Sequence, residues 1–113
     1  MKISIIIPVY NEENTILKVL ENIKKVQKKI QKDFEILIIN DGSTDDIINI
    51  LNNNPNLYDK LINIDVNRGK GNAIHEGFKN STGDIIIIQD ADLEYNPKEY
   101  QKLLIPFEDL MLM

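Results

Sequence analysis

The chain has 113 residues, enough for one domain with a buried core and too few for a second lobe. Its 13 basic residues are outnumbered by 18 acidic ones, and the net charge of −5 argues against nucleic acid as a partner. The absence of cysteine excludes disulfides, thiolate metal sites and a cysteine nucleophile, and it favours a cytoplasmic location.

The first apolar run, in MKISIIIPVYNEE, is too short for a signal core and is broken by Pro8, so we interpret it as a strand. This strand should cover residues 3–9, because it is β-branched and almost continuously apolar. A long amphipathic helix should follow, beginning at residues 11–14 with an acidic first turn and ending near Lys32. No segment approaches the ~20 apolar residues that span a bilayer.

Three more strands are predicted, with a helix before each of the last two and after the last. Thr44 or Asp45 should cap the first of these helices, Pro55 follows its end, and Pro97 should begin the last one. The predicted strands are residues 34–39, 61–66 and 84–89, and the helices are placed after residues 43, 67 and 96.

This alternation predicts a Rossmann-like parallel sheet with helices on both faces. Ligands of such sheets bind beyond the carboxyl ends of the strands. The notable polar clusters all fall in the four loops that leave those ends, which are residues 8–13, 40–45, 67–71 and 90–96. We therefore expect one binding site built from four loops.

The last of these loops carries two carboxylates, Asp90 and Asp92, directly after an apolar strand. Two carboxylates turned toward one point repel each other unless a cation or a proton lies between them. Oxygen ligands select hard ions such as Mg²⁺ or Mn²⁺, which keep open positions for phosphate oxygens. The alternative is a turn that merely favours aspartate.

Two other loops allow both a structural and a functional interpretation. Asp41 could form an Asx turn before the next helix, or it could accept a hydrogen bond from a nucleobase or a ribose. The loop from Arg68 to Gly71 could be a solvated turn, or its backbone amides and its cations, Arg68 and Lys70, could approach a diphosphate.

The residues after the first strand are similarly open. Glu12 and Glu13 are better explained as acids of a first helical turn than as ligands. Tyr10 could stack on a base or close the edge of the sheet. His75 has no evident partner in the pattern, and we interpret it as structural or exposed.

Taken together, four ordered motifs resemble the family 2 glycosyltransferases with the GT-A fold. The resemblance is strongest to the branch that uses polyprenyl or dolichyl phosphate. The motifs are IIPVYNE at residues 6–12, NDGSTD at 40–45, NRGKG at 67–71 and DADLE at 90–94.

The resemblance implies a role for each matching residue. It places Asp41 toward the base, Arg68 and Lys70 beside the nucleotide and its diphosphate, and Asp90 on ribose or sugar. Asp90 and Asp92 match the DxD motif that binds Mg²⁺ or Mn²⁺, with Glu94 as a third metal ligand. The residues implied to line the nucleotide pocket are Pro8, Tyr10, Glu12, Asp41, Arg68, Lys70 and Asp90.

Family members continue past the position of Met113 into an acceptor-binding half that includes a catalytic base. We therefore expect residues 1–113 to form the nucleotide-sugar half of a glycosyltransferase. The expected donor is a UDP- or GDP-sugar, and a lipid phosphate is a candidate acceptor, which would place the full-length protein peripherally at a membrane. Self-association through an incomplete sheet edge is also expected.

Two alternatives stay open at this point. A non-catalytic nucleotide-binding module would keep the pocket and lose the chemistry. A receiver-type signalling domain would also place aspartates at the ends of parallel strands around Mg²⁺.

Overall fold

The computed structural model describes residues 1–91, in which four strands alternate with helices. None of the helices in this part of the chain is long and apolar enough to cross a membrane. The elements are β1 (Lys2–Val9), α1 (Ile16–Ile30), β2 (Asp33–Asp41), α2 (Ile47–Asn52), a 3₁₀ turn (Pro55–Leu57), β3 (Lys60–Ile64), α3 (Lys70–Asn80) and β4 (Ile85–Ile88).

The four strands form one parallel sheet in the order β3-β2-β1-β4. β1 is therefore central, and it pairs Ile5 with Ile36 of β2 on one side and with Ile87 of β4 on the other. The predicted α/β class and the parallel sheet are confirmed. The apolar runs explain the arrangement, because strands covered on both faces need apolar side chains on both faces.

The core consists of two layers on opposite faces of this sheet. Helices α1 and α2 cover one face, where alternate residues of β1 such as Ile3, Ile5 and Ile7 are fully buried. Helix α3 covers the other face, where Ala73 packs with Ile6 and residues of β2. The prediction of helices on both faces is thus confirmed.

The start of α1 differs from the prediction. The helix begins at Ile16 and contains no acidic residue in its first turn. Asn11 has a φ of 55°, a left-handed conformation that is incompatible with a right-handed helix. The carbonyl of Glu12 then closes a turn by accepting the N–H groups of Thr15 and Ile16. Glu12 and Glu13 therefore precede the helix, so their predicted place in its first turn is wrong.

Other boundaries shift less. β3 ends at Ile64 instead of Val66, and β4 is shorter by one residue at each end. The N-cap residue of α2 is Asp46, which makes no side-chain cap hydrogen bond, so the predicted cap by Thr44 or Asp45 is wrong. Asp45 precedes the N-cap, and its Oδ1 atom accepts the N–H of Ile47 at 3.2 Å. The helix predicted to begin at Pro97 lies outside the described residues.

A buried carboxylate, Glu35, organises the amino-terminal edge of the sheet. Its oxygens accept the hydroxyl of Ser4 at 2.9 Å and both the N–H and the hydroxyl of Thr82, at 2.8 and 2.7 Å. The Nζ atoms of Lys2 and Lys60 lie 3.5 and 3.4 Å from it. Burial alone would raise the pKa of Glu35, but the hydrogen bonds from Thr82 and Ser4 and the charge of Lys60 outweigh it and lower the pKa to about 2.

Candidate functional site

A cavity of about 370 Å³ opens at the carboxyl-terminal edge of the sheet. Residues from all four predicted loops contribute to its wall, which confirms that the loops meet at one place. The residues that line it are Pro8, Val9, Tyr10, Glu12, Asp41, Asn67, Gly69, Lys70, Ala73, Asp90 and Ala91.

Asp41 is the last residue of β2 and is 3% exposed. Its Oδ1 atom accepts the N–H of Arg68 and its Oδ2 atom accepts the N–H of Gly69, each at 2.9 Å. Since a carboxylate oxygen has more than one acceptor site, the side chain can hold this loop and still face the cavity. Asp41 thus joins the loop after β3 to the end of β2.

Asp41 does not form the Asx turn that the sequence allowed, because its carboxylate oxygens accept the N–H groups of Arg68 and Gly69. In the turn after β2, the Oδ1 atom of Asn40 accepts the N–H of Ser43, three residues on, at 3.2 Å. Gly42 follows with a φ of +70°, and a Cβ built there would lie 2.7 Å from the carbonyl carbon of Val66. The loops after β2 and β3 therefore touch backbone to backbone, which only glycine at this position permits.

The loop after β1 is bonded to the loop after β2. The Oδ1 atom of Asn11 accepts the N–H groups of Thr44 and Asp45, at 2.8 and 3.2 Å, and its own N–H donates to the Oγ of Ser43 at 3.0 Å. The Oε2 atom of Glu13 accepts the N–H of Asp46 at 3.1 Å. These contacts fix the wall of the cavity that carries Tyr10 and Glu12.

Tyr10 does not close the edge of the sheet, because 46% of its surface is exposed while it lines the cavity. Its ring therefore offers an accessible face at the mouth of the site. Pro8 and Glu12 line the same cavity. His75 lies on α3 and is exposed, in agreement with its interpretation as a structural or exposed residue.

Asp90 lies on the wall of the cavity, two residues after the end of β4, and its side chain is 20% exposed. The ammonium group of Lys70 forms an ion pair with its Oδ1 atom. Lys70 is the first residue of α3 and is 57% exposed, so a long flexible side chain brings a positive charge to the acidic end of the cavity.

Arg68 is the one predicted pocket residue that does not line the cavity. It is exposed, and its backbone N–H is bound by Asp41. The N–H of Gly69 is bound by Asp41 as well. These two amides are therefore bound within the protein, whereas Lys70 of the same loop lines the cavity.

The predicted metal ligands are only partly within the described residues. Asp90 faces the cavity, whereas Asp92 and Glu94 lie outside residues 1–91. Within those 91 residues, no group of three or more acidic or histidine side chains is close enough to hold an ion. The donor chemistry that Asp90 offers is carboxylate oxygen, which fits a hard divalent cation.

The family assignment agrees with this geometry. Residues 4–112 match the sequence pattern of the family described as Glycosyl transferase family 2. The chain belongs to glycosyl transferase family 2. The fold is that of the GT-A glycosyltransferases, as the resemblance implied. Membership in this family leaves no basis for the receiver-domain alternative.

Three relatives illustrate what this family 2 chain is similar to. The undecaprenyl-phosphate 4-deoxy-4-formamido-L-arabinose transferase of Proteus mirabilis (strain HI4320) is 37% identical, over 96% of this chain and 34% of that protein. The structure of S. aureus TarS 1-349 in complex with UDP-GlcNAc is 28% identical, with a TM-score of 0.75, over 96% of this chain and 31% of the other.

The third is the mannosyltransferase PcManGT from Pyrobaculum calidifontis in complex with GDP-Man and Mn²⁺. It is 29% identical, with a TM-score of 0.65, over 80% of this chain and 27% of that chain. The family 2 chain described here spans about a third of the length of the curated relatives it matches.

Sequence reasoning missed part of the site of this family 2 chain. Val9, Ala73 and Ala91 line the cavity but carry no polar signal that could identify them. Asn67 and Gly69 were within a recognised motif, yet only the path of the backbone shows that they reach the wall. Thr15 was also missed, although its hydroxyl bonds the carbonyl of Ala91.

Proposed function

We propose that this chain binds the nucleotide-sugar donor of a glycosyltransferase, which moves the sugar from a UDP- or GDP-sugar to an acceptor. The observation that carries the proposal is the cavity at the carboxyl edge, where the four family motifs meet around about 370 Å³. Clefts of this order of size hold small ligands and cofactors.

The two ends of the cavity differ chemically, which gives a donor one orientation. At one end, Tyr10 offers an exposed ring on which a base can stack, and the carboxylate of Asp41 offers an acceptor for the base. At the other end, Lys70 brings a positive charge that suits a diphosphate. Pro8 and Glu12 also line the cavity.

Asp90 supplies a carboxylate at the diphosphate end, and we propose that it faces ribose or sugar and binds a divalent cation together with Asp92 and Glu94. Mn²⁺ is present in the solved complex of PcManGT with GDP-Man, which supports a divalent ion of this kind. When bound, such an ion stabilises the negative charge that grows on the departing diphosphate. Lys70 must then release Asp90 and can turn toward the phosphates.

We expect the acceptor to be bound by a different part of the enzyme. We propose that residues 1–113 form the donor half of a longer enzyme, and that a polyprenyl phosphate is the acceptor. The name of the Proteus mirabilis relative, an undecaprenyl-phosphate transferase, supports that acceptor class. We place such an enzyme in the cytoplasm, peripherally at the membrane that carries the lipid.

The test is calorimetric titration of the chain with UDP and with GDP, in Mn²⁺ and in EDTA. We expect at least one of the two nucleotides to bind about tenfold or more tightly in Mn²⁺ than in EDTA. We expect Asp90→Asn to abolish this difference. Asp84→Asn is the matched control, because Asp84 accepts the N–H of Lys2 at the opposite edge of the sheet.

Equal binding in Mn²⁺ and EDTA would contradict the metal role, and binding of neither nucleotide would contradict the proposed function. Release of the free nucleotide from its sugar conjugate, in the presence of polyprenyl phosphate, separates a transferase from a module that only binds. For the chain alone we expect binding without turnover. A longer protein that contains it should release the nucleotide.

A further inference from the structure

We propose that Thr15 is a positioning residue, which fixes the backbone at Asp90 and Ala91 and so orients the Asp90 carboxylate toward the metal and the diphosphate. The inference rests on the proposed function, since it concerns the same site. Thr15 directly precedes α1, does not line the cavity and belongs to none of the four family motifs.

The first observation is that Thr15 does not do what a threonine at its position usually does. It occupies the N-cap of α1, where a hydroxyl normally accepts an N–H of the first helical turn. Its side chain makes no such hydrogen bond. The hydroxyl instead donates to the carbonyl oxygen of Ala91, which is 76 positions away in the chain. The first turn of α1 therefore lacks a side-chain cap, and the hydroxyl of Thr15 instead holds the backbone at Ala91.

The second observation concerns the hydroxyl's choice of partner. The Oγ1 atom of Thr15 also lies 3.3 Å from the Oε2 atom of Glu12, but a hydroxyl has one hydrogen to donate. The Ala91 oxygen is the nearer acceptor. A single side chain therefore lies between a wall residue of the cavity and the backbone of the acidic loop.

The third observation is that the neighbouring carbonyl is held as well. Gln89 is fully buried, and its Nε2 atom donates to the carbonyl of Asp90 at 2.9 Å. The two successive carbonyls after the Asp90 side chain are thus both fixed, one by Gln89 and one by Thr15. Fixing two successive peptide planes fixes the direction in which the backbone leaves Asp90.

The direction of this backbone matters because a carboxylate ligand must point at its ion within narrow limits. The carbonyls of Asp90 and Ala91 directly follow the Asp90 side chain, so their orientation bears on the direction of the Asp90 carboxylate. Groups that orient metal ligands from outside the ligand shell typically change metal affinity by about 10- to 100-fold when they are removed.

The test compares three replacements of Thr15. Thr15→Val removes the donor and keeps the branched shape, Thr15→Ala removes the donor without adding a methyl group, and Thr15→Ser keeps the donor. Each is titrated with Mn²⁺ in the presence of UDP or GDP, whichever binds more tightly. The matching nucleoside is titrated in EDTA as a second readout, because it lacks the diphosphate.

We expect Thr15→Val and Thr15→Ala to weaken Mn²⁺ binding by about tenfold or more, and Thr15→Ser to stay close to the wild type. Binding of the nucleoside should be unchanged in all three. Thr82→Val is the control for a lost hydroxyl elsewhere, because its hydroxyl bonds Glu35 at the opposite edge. It should lower the melting temperature and leave Mn²⁺ binding unchanged.

Wild-type Mn²⁺ affinity in Thr15→Val or Thr15→Ala would overturn the inference. So would a Thr15→Ser variant as weak as Thr15→Val, because the methyl group would then be the part that matters. If the wild type itself shows no Mn²⁺-dependent nucleotide binding, the proposed function fails and the inference fails with it. The two failures are thus distinguishable.

Discussion

The Oδ2 atom of Asp41 accepts the backbone N–H of Gly69 at 2.9 Å, and so ties the end of β2 to the start of α3. Its Oδ1 atom binds the N–H of Arg68 in the same way. Lys70 directly follows Gly69 in the chain. The Asp41 carboxylate therefore also fixes the backbone position from which the Lys70 side chain extends. Asp41 therefore shapes the site as well as lining it.

Asp41→Asn should destabilise the protein and weaken nucleotide binding. An amide keeps one acceptor oxygen and turns a donor toward the second N–H, which leaves a buried N–H without a partner at a cost of about 1–3 kcal/mol. Urea denaturation and nucleotide titration measure the two effects. Asp59→Asn is the control, since Asp59 is exposed and accepts a single backbone N–H, from Ile36, which an amide can still bind.

Gly42→Ala should separate the loops after β2 and β3. An added methyl would lie 2.7 Å from the carbonyl carbon of Val66, and the φ of +70° disfavours any side chain. We expect a loss of at least about 2 kcal/mol in the free energy of unfolding, with weaker nucleotide binding.

Gly71→Ala is the matched control, because a Cβ there has no atom within 4 Å and Gly71 lies in α3. It should leave the protein equally stable or stabilise it by up to about 1 kcal/mol. A fully stable Gly42→Ala variant would show that the two loops do not touch as described.

The network around Glu35 should make the protein sensitive to acid. The pKa of Glu35 is about 2 in the folded state against an ordinary 4.5, so the network contributes fully above about pH 4.5. This contribution is lost as the pH falls from 4.5 toward 2, and it amounts to about 3 kcal/mol.

Comparison of the wild type with Glu35→Gln isolates this titration. The difference in unfolding free energy between the two proteins should be large at pH 7 and should shrink at pH 3. Glu76→Gln is the control, because Glu76 forms an exposed i,i+3 pair with Lys79 and such pairs contribute little. A difference that does not depend on pH would show that Glu35 is not ionised in the fold.

Lys70→Met should weaken binding of the nucleoside diphosphate and spare binding of the nucleoside. A hydrogen bond to a charged group contributes about 1.5–3 kcal/mol, so the loss should be about tenfold or more for UDP or GDP. Lys79→Met, at the other end of α3, is the control and should change neither. Equal losses for nucleoside and nucleotide would instead indicate that Lys70 shapes the cavity as a whole.

The fold was largely predictable because it follows from local patterns. Buried parallel strands require apolar residues on both faces, so the isoleucine-rich runs of β1, β2 and β4 can be recognised as strands from the sequence. The start of α1 was not predictable, since acidic residues at 12 and 13 match a helix start equally well. The backbone N–H groups of Thr44 and Asp45 donate to the side chain of Asn11 and hold it before the helix, and these bonds join segments far apart in the chain.

The site was predictable as a location and only partly as a set of contacts. Parallel topology gathers the loops at one edge, which is why Tyr10, Asp41 and Asp90 were expected together. Sequence pattern cannot show which way a loop turns, so Arg68 was predicted to line the pocket although it is exposed and does not line the cavity. The role of Thr15 depends on a contact across 76 positions, for which the local sequence carries no signal.

The position of β1 in the middle of the sheet has a consequence for how the chain folds during synthesis. β1 is synthesised before both of the strands that flank it, so one of its edges stays unpaired until β4 has emerged. Until then the nascent chain presents a row of isoleucines with unsatisfied backbone groups, which favours aggregation. A pause in synthesis before β4 has emerged prolongs this exposure.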